Sequence, residues 1–198
     1  MKHLFLLFSV ATCLLTACNN NKKPGITVTS DDGKTTTTIQ ANDLVQVTED
    51  SQKKTEELKK LSPYTLDQMK AMLPDELAGA KRSKFSANSA MGTAYAEGEY
   101  EINDSTKVEL KIYDCAGEAG AGLYGMQYLA MMNFQSESDN EYTKTIDFKG
   151  GKAVEHLDKR NNHSTLTYLS GDRVLVMLEG RNTGVDMLKQ VAGSLNIK

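Results

Sequence analysis

The chain has 198 residues, a formal net charge of −3 at pH 7 and 39% apolar residues. This length and apolar content suit one ordinary globular domain with additional flanking segments. A mildly acidic chain lacks the basic surface that nucleic acids require, which excludes nucleic acid as the expected partner.

The first eighteen residues combine the features of a secretory signal. Lys2 opens a short basic segment, and residues 4–15 are almost wholly apolar. Such a run is too short for a transmembrane anchor, which needs roughly 20 residues. The next four residues, Leu15-Thr16-Ala17-Cys18, resemble the lipobox of bacterial lipoproteins. The resemblance implies that residues 1–17 are a signal peptide and that Cys18 becomes the lipidated, palmitate-bearing first residue. An ordinary cleaved signal with a chance cysteine is the alternative.

The lipobox resemblance also predicts a location. Removing residues 1–17 takes away Lys2, so 23 − 1 = 22 basic residues face 26 acidic ones, a net charge of −4. Asn19, rather than Asp, follows the cysteine and resembles the pattern of outer-membrane delivery. We therefore expect a protein that is lipid-anchored in the cell envelope, at the outer membrane and facing the periplasm. Cys115 is then the single remaining thiol, which leaves no internal disulfide.

The segments before the main domain have distinct compositions. Residues 18–25 are polar and rich in chain breakers, which predicts a flexible tether. Residues 26–40 predict a β-hairpin around Asp32-Gly33, with Ile26 opposite Ile39 and Val28 opposite Thr37. An isolated hairpin is marginal in water, so it must dock on the main domain or on a partner. Residues 41–61 are strongly charged with almost no apolar stripe, which predicts a solvated helical linker.

The compact domain is predicted over residues 62–198. Ser62 as N-cap and Pro63 at the first helical position begin a helix that ends at Pro74. Strands are predicted at 81–87, 92–102, 106–113, 141–148, 152–158, 163–170 and 173–179, and helices at 117–134 and 184–195. This order predicts an α+β fold, with a largely antiparallel β-sheet covered by about three helices.

The end of the chain resembles a known family. Residues 171–176 (Gly-Asp-Arg-Val-Leu-Val), Glu179-Gly180 and residues 185–189 (Val-Asp-Met-Leu-Lys) look like the closing strand and helix of Mog1/PsbP-like domains. The resemblance covers roughly two-thirds of the chain. It implies a binding or assembly module without catalytic residues at a membrane surface, and it carries no functional motif over to this chain.

One string matches a cofactor fingerprint. Gly120-Ala121-Gly122-Leu123-Tyr124-Gly125 fits GxGxxG after a predicted strand and at the opening of a helix. The later strands follow in hairpin order, so the doubly wound sheet that a dinucleotide requires is missing. Close helix–sheet packing over small residues is the preferred interpretation, and we expect no cofactor.

Two further groups could carry chemistry. Cys115 precedes a helix, whose N-terminus would favour a reactive thiolate, although a buried and inert thiol is the simpler interpretation. His156, Asp158 and His163 are predicted to share one sheet face with Thr165 and Thr167, where two imidazoles and a carboxylate could hold zinc. The same pattern also describes an ordinary solvated sheet surface.

The sequence therefore predicts a non-catalytic binding or assembly module at the membrane surface, more plausible as a non-enzyme than as an enzyme. Its expected partners are the membrane, through lipid at Cys18, and an envelope protein or a small ligand. The alternative is a metal-binding or thiol-dependent envelope protein that uses His156, Asp158 and His163, or Cys115.

Overall fold

The computed structural model describes residues 25–29, 36–40, 44–90, 92–130 and 134–197. Every strand pairing among them is antiparallel, which confirms the predicted α+β class with a large antiparallel sheet. The elements are β1 Gly25–Thr29, β2 Thr36–Gln40, α1 Leu44–Lys59, α2 Leu66–Met72, β3 Glu76–Leu77, β4 Ala80–Ala90, β5 Thr93–Glu101, β6 Lys107–Asp114, α3 Gly117–Ala130, β7 Gln135–Glu137, β8 Glu141–Phe148, β9 Gly151–Asp158, β10 His163–Ser170, β11 Val174–Arg181 and α4 Val185–Ser194. No helix among these residues is long and apolar enough to span a membrane.

The strand order explains how the two halves of the chain meet. The sheet runs β1-β2-β7-β8-β9-β10-β11-β6-β5-β4-β3. Strands β7 to β11 form a meander, and its last strand pairs with β6 along the full length of both. The connection from β6 to β7 contains α3. The interior strands β6 and β11 therefore lie side by side, although they are far apart in sequence.

We call the sheet face that carries Ala94, Leu110 and Val176 the inner face. Strand β6 places Val108, Leu110 and Ile112 there, all with no solvent exposure, as their alternation predicts. Helices α2 and α4 pack on this face, because Met69 and Leu188 belong to the same buried cluster as the strand residues. The predicted apolar stripe of the last helix is buried throughout: Val185, Leu188, Val191, Ala192 and Leu195.

The opposite, outer face is only partly covered. Leu175 of β11, Tyr124 of α3 and Leu58 of α1 belong to a second buried cluster, with Cys115 and Ala121. Helix α1 is thus part of the fold, whereas the sequence predicted a solvated linker. The reason is that α1 meets α3 through small residues, with Ser51 buried and the Thr55 hydroxyl close to Gly125, rather than through an apolar stripe.

The first helix of the domain starts later than expected. Thr65, not Ser62, is the N-cap of α2, and Thr65 and Gln68 form a capping box. Residues 62–64 are instead held against the sheet: Arg173 donates a hydrogen bond to the Ser62 carbonyl (2.8 Å), and the Tyr64 amide donates to Asp114 (2.6 Å). These tertiary contacts keep Ser62 and Pro63 outside the helix.

The N-terminal hairpin has the predicted register. Ile26 lies opposite Ile39 and Val28 lies opposite Thr37. Strand β2 also pairs with β7, so the hairpin docks on the main sheet. The strands β3 and β7 were not predicted, because they are only two and three residues long. Cys18, the Asp32-Gly33 turn and the rest of residues 1–24 and 30–35 lie outside the described residues.

Candidate functional site

The uncovered part of the outer face carries two adjacent rows of polar side chains. Cross-strand pairing aligns Glu99, Glu109 and Glu179 across β5, β6 and β11, and continues the row into β10, β9 and β8. We call both rows together the polar strip; its members are Lys84, Glu99, Glu109, Glu179, Thr165, His156 and Thr143 in one row, and Glu101, Lys107, Arg181, His163, Asp158 and Glu141 in the next.

Ion pairs organise one end of the polar strip. The Lys107 ammonium lies 3.2 Å from Glu99 and 2.9 Å from Glu101. Lys111, from the neighbouring row, lies 3.2 Å from Glu109 and 2.8 Å from Glu179. Hydrogen bonds from Lys84 and Lys107 hold the pKa of Glu99 below its ordinary value. The strip contains six carboxylates and three cations, so its net charge is −3 when both histidines are neutral.

A small cavity lies among these charges. Its volume is about 60 Å³, and Glu99, Lys107, Glu109, Glu179 and Arg181 line it. Sites for drug-sized ligands are several-fold larger, about 300–1,000 Å³. Among the described residues, Arg181 has no ion-pair partner, so its guanidinium is available to a ligand or to another protein. The strip resembles a contact surface more than an enclosed ligand site.

The structure places His156, Asp158 and His163 on one face, as predicted. His163 is the cross-strand partner of Asp158, and Thr165 is that of His156. The Nδ1 atom of His156 and the Thr143 hydroxyl are 2.8 Å apart, and the Nε2 atom of His163 is 3.8 Å from Glu179. Each histidine therefore has its own neighbour, and the two do not converge on a common point.

Asp158 has a structural role in the β9–β10 turn. Its carboxylate accepts hydrogen bonds from the Arg160 amide (2.9 Å) and from the amide and side chain of Asn161 (3.0 and 2.6 Å). The Asn161 and Arg160 bonds hold the pKa of Asp158 below its ordinary value. Within the described ranges, no group of three or more His, Cys, Asp or Glu residues is arranged to hold a metal ion.

Cys115 is fully buried. Burial raises the pKa of its thiol to about 12, and its backbone amide donates to the Arg173 carbonyl. A thiolate is therefore scarce at neutral pH, which is the opposite of the condition for a reactive cysteine. The geometry supports the inert thiol over the nucleophile.

The GxGxxG string serves packing. A Cβ on Gly120 would lie 2.6 Å from the Asp114 carbonyl oxygen, whereas Gly122 has nothing within 4 Å. Only the first glycine is required for close approach of α3 to the end of β6. This pattern matches helix–sheet packing at Gly120, whereas Gly125 lies at the contact between α3 and α1.

Two buried ionic groups were not found by sequence reasoning. Asp114, with no solvent exposure, accepts bonds from Arg173 at 2.7 and 2.8 Å, and the Arg173 guanidinium lies 3.6 Å from the centre of the Tyr64 ring. On the inner face, Glu155 is 1% exposed and lies 2.6 Å from Lys189 and 3.1 Å from Lys144. Each group includes a partner distant in sequence, Arg173 for Asp114 and Lys189 for Glu155, so local spacing could not reveal the complete group.

No protein-family model, curated protein or solved structure matches the chain. The functional argument therefore depends on the geometry of the chain itself.

Proposed function

We propose that this protein is a lipid-anchored, non-catalytic binding or assembly module of the bacterial cell envelope, and that the polar strip contacts its partner. The observation that supports the proposal is that α1 and α3 cover only part of the outer face. The buried cluster formed by α1 and α3 extends to Leu175 of β11. Glu179 lies two cross-strand rows further along the same face and stays accessible to solvent, as do its neighbours.

The chemistry of the polar strip favours a protein partner. Its rows of Glu, Thr and His side chains lie on the face of a sheet, and the adjacent cavity is too small for a sizeable ligand. An excess of carboxylates complements a partner surface with Lys or Arg side chains, which improves association rate and specificity. The same charge opposes contact with an anionic lipid surface.

The Mog1/PsbP-like resemblance supports the same class of function. In this chain, most of the segment that carries the resemblance forms β11 and α4, and Val176 and Leu188 from these elements belong to the same inner-face core. The family relation remains part of the proposal, as do the lipid at Cys18, the outer-membrane location and the periplasmic orientation.

The polar strip is tested by photo-crosslinking in cells. A photoreactive amino acid at Thr165 samples the strip, and one at Gln190, an exposed position of α4, is the matched control. We expect the Thr165 probe to capture a defined partner, and the substitution Glu109→Lys to weaken that capture. Equal products from both positions, or capture unchanged by Glu109→Lys, would contradict the proposed surface.

The anchor is tested by Cys18→Ser in the full chain. We expect the variant to lose fatty-acid labelling and to move from the membrane to the soluble fraction, because thioether-linked lipid cannot form on serine. Ser9→Ala, in the apolar part of the predicted signal, is the control and should still be labelled. Labelling that persists in Cys18→Ser would refute the anchor while leaving the polar-strip experiment independent.

A further inference from the structure

Strand β4 has a free edge. On one side it pairs with β5 from Arg82 to Ala90. On the other side, β3 pairs only with Ala80 and Lys81, and the Arg82 amide donates to the Asp75 carbonyl. No described residue pairs with this side from Lys84 onward. Alternate N–H and C=O groups of a strand point to each side, so the edge presents unpaired donors and acceptors.

An exposed aromatic residue lies on the same segment. Phe85 is 57% exposed, although its register with Gly98 places it on the inner face, where most large apolar residues are buried. Edge strands usually carry charges or proline that discourage pairing. Residues 85–90, Phe-Ser-Ala-Asn-Ser-Ala, contain neither, while the basic residues Lys81, Arg82 and Lys84 all precede them.

We propose that β4 pairs with β4 of a second copy of this chain, antiparallel and about a two-fold axis at Ala87. This register places Phe85 opposite Ser89 of the second copy, and Lys84 opposite Ala90. The uncharged run 85–90 is centred near Ala87, so an antiparallel second copy pairs this run with itself and keeps the basic residues 81–84 of the two copies apart. A parallel arrangement would instead align the lysines of both copies, which like-charge repulsion disfavours.

The two-fold pairing is compatible with the rest of the fold. The axis is perpendicular to the sheet, so the inner faces of both copies lie on the same side and both Phe85 rings gain a neighbour across the interface. Strand β1, which follows the N-terminal segment, lies near the opposite edge of the sheet.

The register is tested by disulfide trapping in the full-length chain. Facing residues in antiparallel strands have Cα atoms about 4.5–5.5 Å apart, within the range of about 4.4–6.8 Å that a disulfide spans. Under mild oxidation, Ala87→Cys should give a disulfide-linked dimer. Lys152→Cys, an exposed position on β9, is the control, and the unsubstituted chain gives the background from its own cysteines.

Charge reversal then distinguishes specific pairing from chance collision. In the Ala87→Cys background, the double substitution Phe85→Lys and Ser89→Lys places lysines opposite lysines in the proposed register. The yield of disulfide-linked dimer should then fall by about tenfold. Phe85→Lys with Ser89→Glu sets each lysine against a glutamate, and trapping should recover. Both positions are exposed, so the fold should tolerate either pair.

Three results would overturn the inference: equal trapping at positions 87 and 152, trapping insensitive to both charge pairs, or a β4 disulfide to a different protein in place of the dimer. The pairing shares only Lys84 with the polar strip and does not involve Cys18, and the substitutions at positions 85, 87 and 89 lie outside the strip. Failure of the pairing therefore leaves the proposed function standing, and the reverse also holds.

Discussion

For single residues, close packing and the burial of charges determine structural roles more than chemically reactive side chains do. Gly120 fits because any side chain there would meet the end of β6, and Asp114 is buried because Arg173 and two backbone amides satisfy it. The residues that looked chemically active, Cys115 and Asp158, are a buried thiol and a turn-forming carboxylate. Burial and hydrogen bonding thus assign roles that residue type alone does not.

Gly120→Ala is expected to lower the free energy of unfolding by about 1–3 kcal/mol, because the added methyl group overlaps backbone atoms that cannot move independently. Gly122→Ala is the matched control. It has open space around it in the same helix, so it should be neutral or stabilising by up to about 1 kcal/mol. Urea unfolding followed by circular dichroism measures both; equal effects would show that α3 does not approach β6 as described.

Glu155 predicts a pH dependence. Burial raises the pKa of this carboxyl, but hydrogen bonds from Lys189 and Lys144 outweigh burial and hold the pKa below its ordinary value. Its contribution to stability is therefore present above about pH 4.5 and is lost as the pH falls through the lower folded-state pKa. The free energy of unfolding, measured from neutral to acidic pH, should fall less steeply in Glu155→Gln than in the unsubstituted chain.

The control for Glu155 is Glu137→Gln, an exposed carboxylate without an ion-pair partner among the described residues. That variant should follow the pH profile of the unsubstituted chain. If the Glu155→Gln variant also follows the pH profile of the unsubstituted chain, the inner-face ion pairs contribute nothing to stability in acid.

At the scale of elements, amphipathic periodicity predicted most of the structure. Strand β6 and helix α4 have strong alternation or a strong stripe, and both have the expected residues buried. Helix α1 shows the limit of that approach. It buries Leu58, at 1% exposure, and small polar residues against α3, and this pattern is indistinguishable in sequence from a solvated spacer.

Leu58→Ala is expected to destabilise the fold by about 2–4 kcal/mol, since it removes a buried side chain between α1, α3 and the sheet. Leu61→Ala, at a position 44% exposed and three residues further on, should change stability by less than about 0.5 kcal/mol. Thermal or urea unfolding of the full chain measures both. Similar small effects from the two substitutions would restore the interpretation of α1 as a linker.

At the scale of the whole molecule, one sheet connects two buried clusters. Cys115 belongs to the outer-face cluster and Leu188 to the inner-face core, and the interior strands β6 and β11 supply residues to both. Because the layers share their strands, we expect the domain to unfold cooperatively.

The buried thiol reports that cooperativity. Alkylation of Cys115, followed by peptide mass spectrometry, should require global unfolding, because the thiol is buried and its pKa is about 12. Leu188→Ala, on the opposite face, should lower stability by about 2–5 kcal/mol and accelerate labelling by about tenfold or more. Labelling that is fast and unaffected by Leu188→Ala would show local opening around Cys115.

Local alternation and turn chemistry were enough to predict the α+β class, the pairing of Ile26 with Ile39, and nearly all strand positions. The sequence also supplied the expectation of a lipid anchor at Cys18. The fold, and no local pattern, placed β6 beside β11 and Arg173 beside Asp114, and among the described residues it left the polar strip and the β4 edge without a covering element. Those features depend on contacts between residues far apart in the chain, which no local pattern encodes.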